Sequence, residues 1–134
     1  MRKKGSTKPV QNHEAESYFL KAKEFYSSMK LEEEFEKWNT VGLCGVHCAI
    51  SASDALLAIQ AKIRSKSQNH YDVVSLVRQH IVHPETKIQT NRLERIIKLK
   101  NVVEYEGEMF TQKQAKSIVL DVERYFAWVN EICN

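Results

Sequence analysis

The sequence contains few of the residues that divide a chain into short strands and turns, with only 4 glycines and 2 prolines in 134 residues. Because all-β folds need frequent turn residues, this scarcity argues against them. The 3 cysteines are an odd number and do not predict a disulfide framework, so a reducing cytoplasm fits better. No apolar segment follows a basic start, and a signal peptide is therefore not predicted.

Positive charge is abundant only at the N-terminus. Residues 1–11 contain four basic side chains and no acidic one, whereas the other 16 basic side chains are outnumbered by 17 acidic ones. A nearly neutral body of this kind does not favour nucleic-acid binding by charge alone. We predict a basic, disordered tail over residues 1–11 and one domain over residues 12–134. The basic residues of the tail are Arg2, Lys3, Lys4 and Lys8.

The most apolar segment, residues 41–64, predicts the central helix of a bundle. Its apolar residues fall on every side of a helix, as they do in a helix that is buried among several neighbours. Polar residues at positions 47, 51 and 54 argue against a membrane span, which needs roughly 20 mostly apolar residues. These three residues, His47, Ser51 and Asp54, are spaced as i, i+4 and i+7 and form one polar seam.

Apolar residues at three- and four-residue steps predict four more helices. The first begins after a capping Asn12 and extends without a break to Trp38, and a short helix covers residues 71–81. A connection over residues 85–91 precedes a helix that ends near Tyr105, and Thr111 with Gln114 forms a capping box for the last helix. No strand pattern appears. The sequence therefore predicts an all-α, up-down bundle of four long helices and one short helix.

Three stretches within this helical order resemble a known family: Val46–Leu57, Lys100–Glu106 and Ala115–Ile132. The resemblance is to the HEPN domain, the higher eukaryote and prokaryote nucleotide-binding helical bundle, and it spans roughly residues 14–132. It implies a HEPN-like bundle that forms a homodimer. It also implies a partner protein such as a nucleotidyltransferase, or a nucleotide or RNA as ligand.

The ribonucleases of that family carry an arginine followed, after a few residues, by a histidine, just ahead of the last helix. In this sequence Lys100 stands where the arginine would be and Tyr105 where the histidine would be. Tyrosine, with a pKa of about 10, is a poor base at neutral pH, and lysine lacks the bidentate fork of arginine. We therefore predict a non-catalytic module that binds a partner protein, a nucleotide or RNA and needs no cofactor.

Two literal matches to the ribonuclease spacing lie elsewhere, Arg64 with His70 and Arg78 with His83. They leave open an alternative, a metal-independent ribonuclease with a displaced site. Such an enzyme would use Arg78 with His83, or His47 with a carboxylate farther along the same face of the central helix. That carboxylate is Asp54.

Other polar groups are candidates for ligand binding. In a second alternative, the seam of His47, Ser51 and Asp54 binds a small ligand. Lys98, Lys100 and Tyr105 form a possible phosphate-facing group. Cys44 and Cys48 flank His47, but a structural zinc site needs four ligands, and we predict no metal. Trp128 falls outside the apolar stripe of the last helix and is a candidate for a dimer contact.

Overall fold

The computed structural model describes residues 7–66, 69–105 and 107–134, with the backbone alone for residues 12 and 103–105. It confirms the predicted all-α bundle of four long helices and one short helix. In chain order the helices are α1 (Asn12–Glu34), α2 (Trp38–Ala61), α3 (Tyr71–His80), α4 (Thr86–Tyr105) and α5 (Gln112–Cys133). Two short strands, β1 (Thr7–Pro9) and β2 (Ile63–Ser65), accompany them.

Helix α2 is the centre of the bundle, as its apolar sequence predicts. It packs against each of the other four helices. By length and composition alone α2 could cross a membrane, but 67% of its most apolar window is buried inside the bundle. The close approach of α1 and α5 is possible because Gly45 has no side chain. A Cβ atom at this position would lie 3.3 Å from the Sδ atom of Met29 and 3.4 Å from a methyl carbon of Val122.

The first helix is shorter than predicted. It ends at Glu34 rather than at Trp38, and Trp38 is instead the first residue of α2. The turn is made by Glu36, whose φ of 57° lies in the left-handed region. No glycine or proline marks this turn, and the apolar period continues across it, so the break could not be predicted from the sequence. At the other end, the N-cap is Gln11 rather than the predicted Asn12, which is the first helical residue, and the Glu14 carboxylate accepts the Gln11 backbone N–H at 3.2 Å.

The fourth helix begins earlier than predicted, since residues 86–91 are helical rather than a connection. Its start is fixed by the Thr86 hydroxyl, which donates to the Ile81 carbonyl at 2.9 Å. The capping box of the last helix is confirmed. The Thr111 hydroxyl accepts the Gln114 backbone N–H at 3.1 Å, and the Gln114 side chain accepts the Thr111 backbone N–H at 2.9 Å.

An antiparallel ribbon of β1 and β2 lies beside the end of α2, although no strand is predicted from the sequence. Helix α2 ends at Ala61 and is capped by the left-handed residue Lys62, after which the chain turns into β2. In the ribbon Thr7 pairs with Ser65, Lys8 with Arg64, and Pro9 with Ile63. Thr7–Pro9 belong to the segment predicted to be a disordered tail, while residues 1–6 lie outside the described part of the chain.

Trp128 is a core residue, and the prediction that it is available for a dimer contact is wrong. Only 2% of its surface is exposed. Its indole N–H donates to Nδ1 of His83 at 3.2 Å, and the two rings meet edge to face. The indole therefore uses its polar group inside the bundle, which explains why a tryptophan outside the apolar stripe can be buried.

Candidate functional site

The polar seam of α2 lies at the surface of the bundle. Between residues 43 and 54, the α2 side chains that are not buried are Leu43, Cys44, His47, Ser51 and Asp54. The seam is therefore the outward line of an otherwise buried helix. Tyr18, Lys21 and Phe25 of α1 lie beside it, as their contacts below show. We call the six residues Tyr18, Lys21, Phe25, His47, Ser51 and Asp54 the α1–α2 face.

His47 and Asp54 lie near different parts of α1. The His47 ring packs against the Phe25 ring, with the centroids 5.5 Å apart. Asp54 instead lies within electrostatic range of Lys21, which is one helical turn before Phe25. Seven residues of α-helix rise by about 10 Å, so the two side chains are separated by two turns. The structure therefore does not bring the candidate pair of His47 and Asp54 together.

Asp54 has the most perturbed carboxyl group among the described residues. Burial raises its pKa from 3.8 to about 6, and the nearby positive charges of Arg64 and Lys21 lower it in part. A carboxyl group with this pKa changes its charge close to neutral pH. A charged ligand next to Asp54 would therefore change the ionisation of this carboxyl group near neutral pH.

Arg64 connects the ribbon to the α1–α2 face. Its guanidinium carbon lies 5.4 Å from the centre of the Tyr18 ring. Burial raises the pKa of Tyr18, the positive charge of Arg64 lowers it, and the negative charge of Asp54 raises it again. The sequence pattern suggests only His70 as a partner of Arg64. The neighbours of Arg64 in the structure, Lys8 and Tyr18, lie in segments far away in the chain, which no local spacing could reveal.

Arg78 and His83, the other candidate pair, are each engaged in a contact between helices. Arg78 Nε donates to the Thr90 hydroxyl at 3.0 Å, and a terminal nitrogen donates to Asn91 at 2.9 Å. His83 Nδ1 accepts the backbone N–H of Glu85 at 3.0 Å in addition to the indole N–H. Arg78 thus joins α3 to α4, while His83 joins the α3–α4 loop to α5.

The predicted phosphate-facing group is only partly described. Lys98 lies 3.9 Å from the Glu94 carboxylate, and Lys100 is half-buried. The side chain of Tyr105 lies outside the described part of the chain. Nearby, Arg95 binds both carboxylate oxygens of Asp121, at 3.0 and 3.2 Å. Acidic side chains therefore balance much of the positive charge on this side of α4.

The three cysteines are free thiols. Burial raises the pKa of Cys48 to about 12 and that of Cys133 to about 11, and it also raises the pKa of Cys44. Metal binding needs the thiolate form, which these pKa values disfavour. Over the described ranges, no three histidine, cysteine or acidic side chains are grouped in a way that could hold a metal ion.

A groove of about 440 Å³ lies along a different side of α1, where α1, the end of α2 and the end of α5 meet. Its apolar lining includes Phe19, Leu20 and Ile59, and its charged lining includes Lys23 and Lys62. None of the residues singled out in the sequence lines this groove.

Comparison with known proteins supports the fold. No protein-family model matches the sequence, and no curated protein matches it. Among solved structures, the chain is similar to the crystal structure of an archaeal HEPN homologue, with a TM-score of 0.67. The similarity covers 90% of this chain and 98% of that chain, with 15% sequence identity. The fold is therefore HEPN-like, and at this identity the likeness shows the fold alone.

Proposed function

We propose that the chain is a non-catalytic HEPN-like module that acts by binding, as a dimer, a partner protein, a nucleotide or RNA. One observation carries this proposal: the candidate pair with the ribonuclease spacing, Arg78 and His83, is used to hold the bundle together. Arg78 binds Thr90 and Asn91, and His83 binds Trp128. These contacts give both residues a structural reason to be present.

General acid–base catalysis needs a group within hydrogen-bonding distance of the proton that it moves, and usually a second group to orient it. The contacts that the structure shows for His83 and His47 join parts of the bundle instead. The Nδ1 atom of His83 already accepts two N–H groups, and the His47 ring packs against Phe25, two turns from Asp54. The substitutions at Lys100 and Tyr105 in the family motif are in accord with this geometry.

The α1–α2 face has the composition of a contact surface. It combines two aromatic rings and a histidine with groups of both charges, and aromatic residues are enriched in protein interfaces. Its side chains are mostly half-buried, so part of their conformational freedom is already lost before a partner binds. We assign the dimer or partner contact to this face.

The proposal is tested by RNA cleavage and light scattering on the same preparation. We expect the purified chain to leave labelled single-stranded RNA intact in the presence of a chelator and to scatter as a dimer at micromolar concentration. Ser51→Arg places a large charged side chain on the α1–α2 face and should give a monomer. Ser117→Arg is the matched control, since Ser117 is exposed on α5. RNA cleavage that is lost in His83→Ala, or a dimer unaffected by Ser51→Arg, would contradict the proposal.

A further inference from the structure

Two positive side chains face each other across the β-ribbon. Lys8 of β1 and Arg64 of β2 are direct partners in the antiparallel register. Such partners point to the same side of a ribbon with their Cβ atoms about 5 Å apart, and like charges in this position destabilise the pairing. The ribbon has only three residues in each strand, so it has few other contacts to offset this repulsion.

The side of the ribbon that carries this pair is directed toward α1. The Arg64 guanidinium lies over the Tyr18 ring, with 5.4 Å between the guanidinium carbon and the ring centre. Lys21 follows Tyr18 by three residues and therefore lies on the same side of α1. Lys21 and Arg64 both act on the ionisation of Asp54, which places them within electrostatic range of one carboxyl group.

Several other positive side chains of the bundle are balanced by an acidic partner. Ion pairs within 4.0 Å are made by Lys30, Lys37, Arg78, Arg95, Lys98 and Lys116. Among the described residues, Lys8, Lys21 and Arg64 form no ion pair of this kind. The carboxylates that face them are those of Asp54 and of Glu14, which already accepts the Gln11 N–H. Positive charge is therefore in excess at this end of the α1–α2 face.

We infer that Lys8, Lys21 and Arg64, with the hydroxyl group of Tyr18, form a binding site for a terminal phosphate group. A phosphate monoester carries about −1.5 to −2 charge at neutral pH and three acceptor oxygens. The arginine fork binds two of these oxygens at once, lysines act as point charges, and a tyrosine hydroxyl donates one further hydrogen bond. A bound phosphate would also relieve the repulsion between Lys8 and Arg64. The inference rests on the proposed binding function, since it names a ligand chemistry for one end of the same face.

A terminal phosphate can come from a free nucleotide or from the 5′ end of an RNA. Calorimetric titration distinguishes these sources with three probes: inorganic pyrophosphate, a 5′-phosphorylated oligoribonucleotide, and the same oligoribonucleotide with a 5′-hydroxyl group. We expect the phosphorylated oligonucleotide to bind at least about tenfold more tightly than the hydroxyl form, the equivalent of one charge-assisted contact. Binding of pyrophosphate as well would identify a free anion as sufficient. The inference would be overturned if pyrophosphate did not bind and the phosphorylated oligonucleotide bound no more tightly than the hydroxyl form.

Three variants test the residues, and a fourth is a control. Arg64→Gln and Lys8→Gln should each weaken binding by about tenfold, with circular dichroism used to verify that the helices remain. Asp54→Asn removes the facing negative charge and should tighten binding, a direction that structural damage would not produce. Lys113→Gln, at an exposed position of α5, should bind as the unaltered chain does. Equal losses in Arg64→Gln and Lys113→Gln would show that binding is only general charge attraction. The dimer test with Ser51→Arg is independent, so failure of the phosphate site leaves the proposed function standing.

Discussion

The hydroxyl groups of Ser53 and Tyr125 lie 2.6 Å apart in the core and join α2 to α5. Both residues have no exposed surface. Ser53 also donates to the Ala49 carbonyl at 2.8 Å, which uses its one proton. The Tyr125 hydroxyl is therefore the donor in the shared bond, and Ser53 is its acceptor.

This direction predicts unequal effects of two substitutions. Tyr125→Phe leaves Ser53 bonded to Ala49 and should cost about 1 kcal/mol of unfolding free energy. Ser53→Ala leaves the Tyr125 hydroxyl buried without its acceptor and should cost more, about 1–3 kcal/mol. Urea unfolding measures both changes. The double variant should be more stable than Ser53→Ala alone, and the opposite order of the single variants would show that the proton lies the other way.

Asp54 predicts a pH dependence of stability. Its pKa is raised from 3.8 to about 6 in the folded chain, so the folded state holds the proton to a higher pH than the unfolded state does. Stability is therefore greatest at acidic pH as far as this group is concerned, and it falls as the pH rises from about 4 through 6. This difference in pKa between the folded and unfolded states corresponds to roughly 3 kcal/mol of unfolding free energy.

The measurement is the unfolding free energy of the unaltered chain and of Asp54→Asn between pH 4 and pH 8. The variant cannot ionise at this position and should gain stability relative to the unaltered chain as the pH rises. Two curves that stay parallel over this range would mean that Asp54 ionises in the fold as it does in the unfolded chain.

The features that could be predicted from the sequence are those that depend on residues close together in the chain. The capping box at Thr111 and the seam along α2 follow from spacings of three and four residues, and both are present. The turn at Glu36 was missed because left-handed backbone there occurs without glycine. The ribbon and the approach of Arg64 to Tyr18 were missed because they join segments that are far apart in the chain. Contacts of this kind are fixed by packing and have no local signature.

The absence of a side chain at Gly45 allows α2 to pack closely against α1 and α5. A Cβ atom here would meet Met29 Sδ at 3.3 Å, in a core where Met29 has no exposed surface. Gly45→Ala gains helix propensity of about 1 kcal/mol, and a small shift of the flexible methionine offsets it, so little net change is expected. Gly45→Val adds methyl groups for which the core has no room and should cost about 1–3 kcal/mol. Thermal unfolding that ranks valine equal to alanine would show that this contact can open without cost.

Arg78 allows the structural and catalytic interpretations to be separated. The guanidinium group of Arg78 donates to the hydroxyl group of Thr90, which is fully buried, and to the Asn91 side chain. Arg78→Lys keeps the positive charge but cannot make both of these hydrogen bonds. We expect a loss of about 1–2 kcal/mol in unfolding free energy, because a buried acceptor loses a charge-assisted donor. Arg124→Lys, at an exposed position of α5, is the matched control and should change stability by less than about 0.5 kcal/mol. If Arg78→Lys were as stable as this control, the contacts to α4 would not explain why the arginine is there. The displaced ribonuclease site would then become the better account of Arg78.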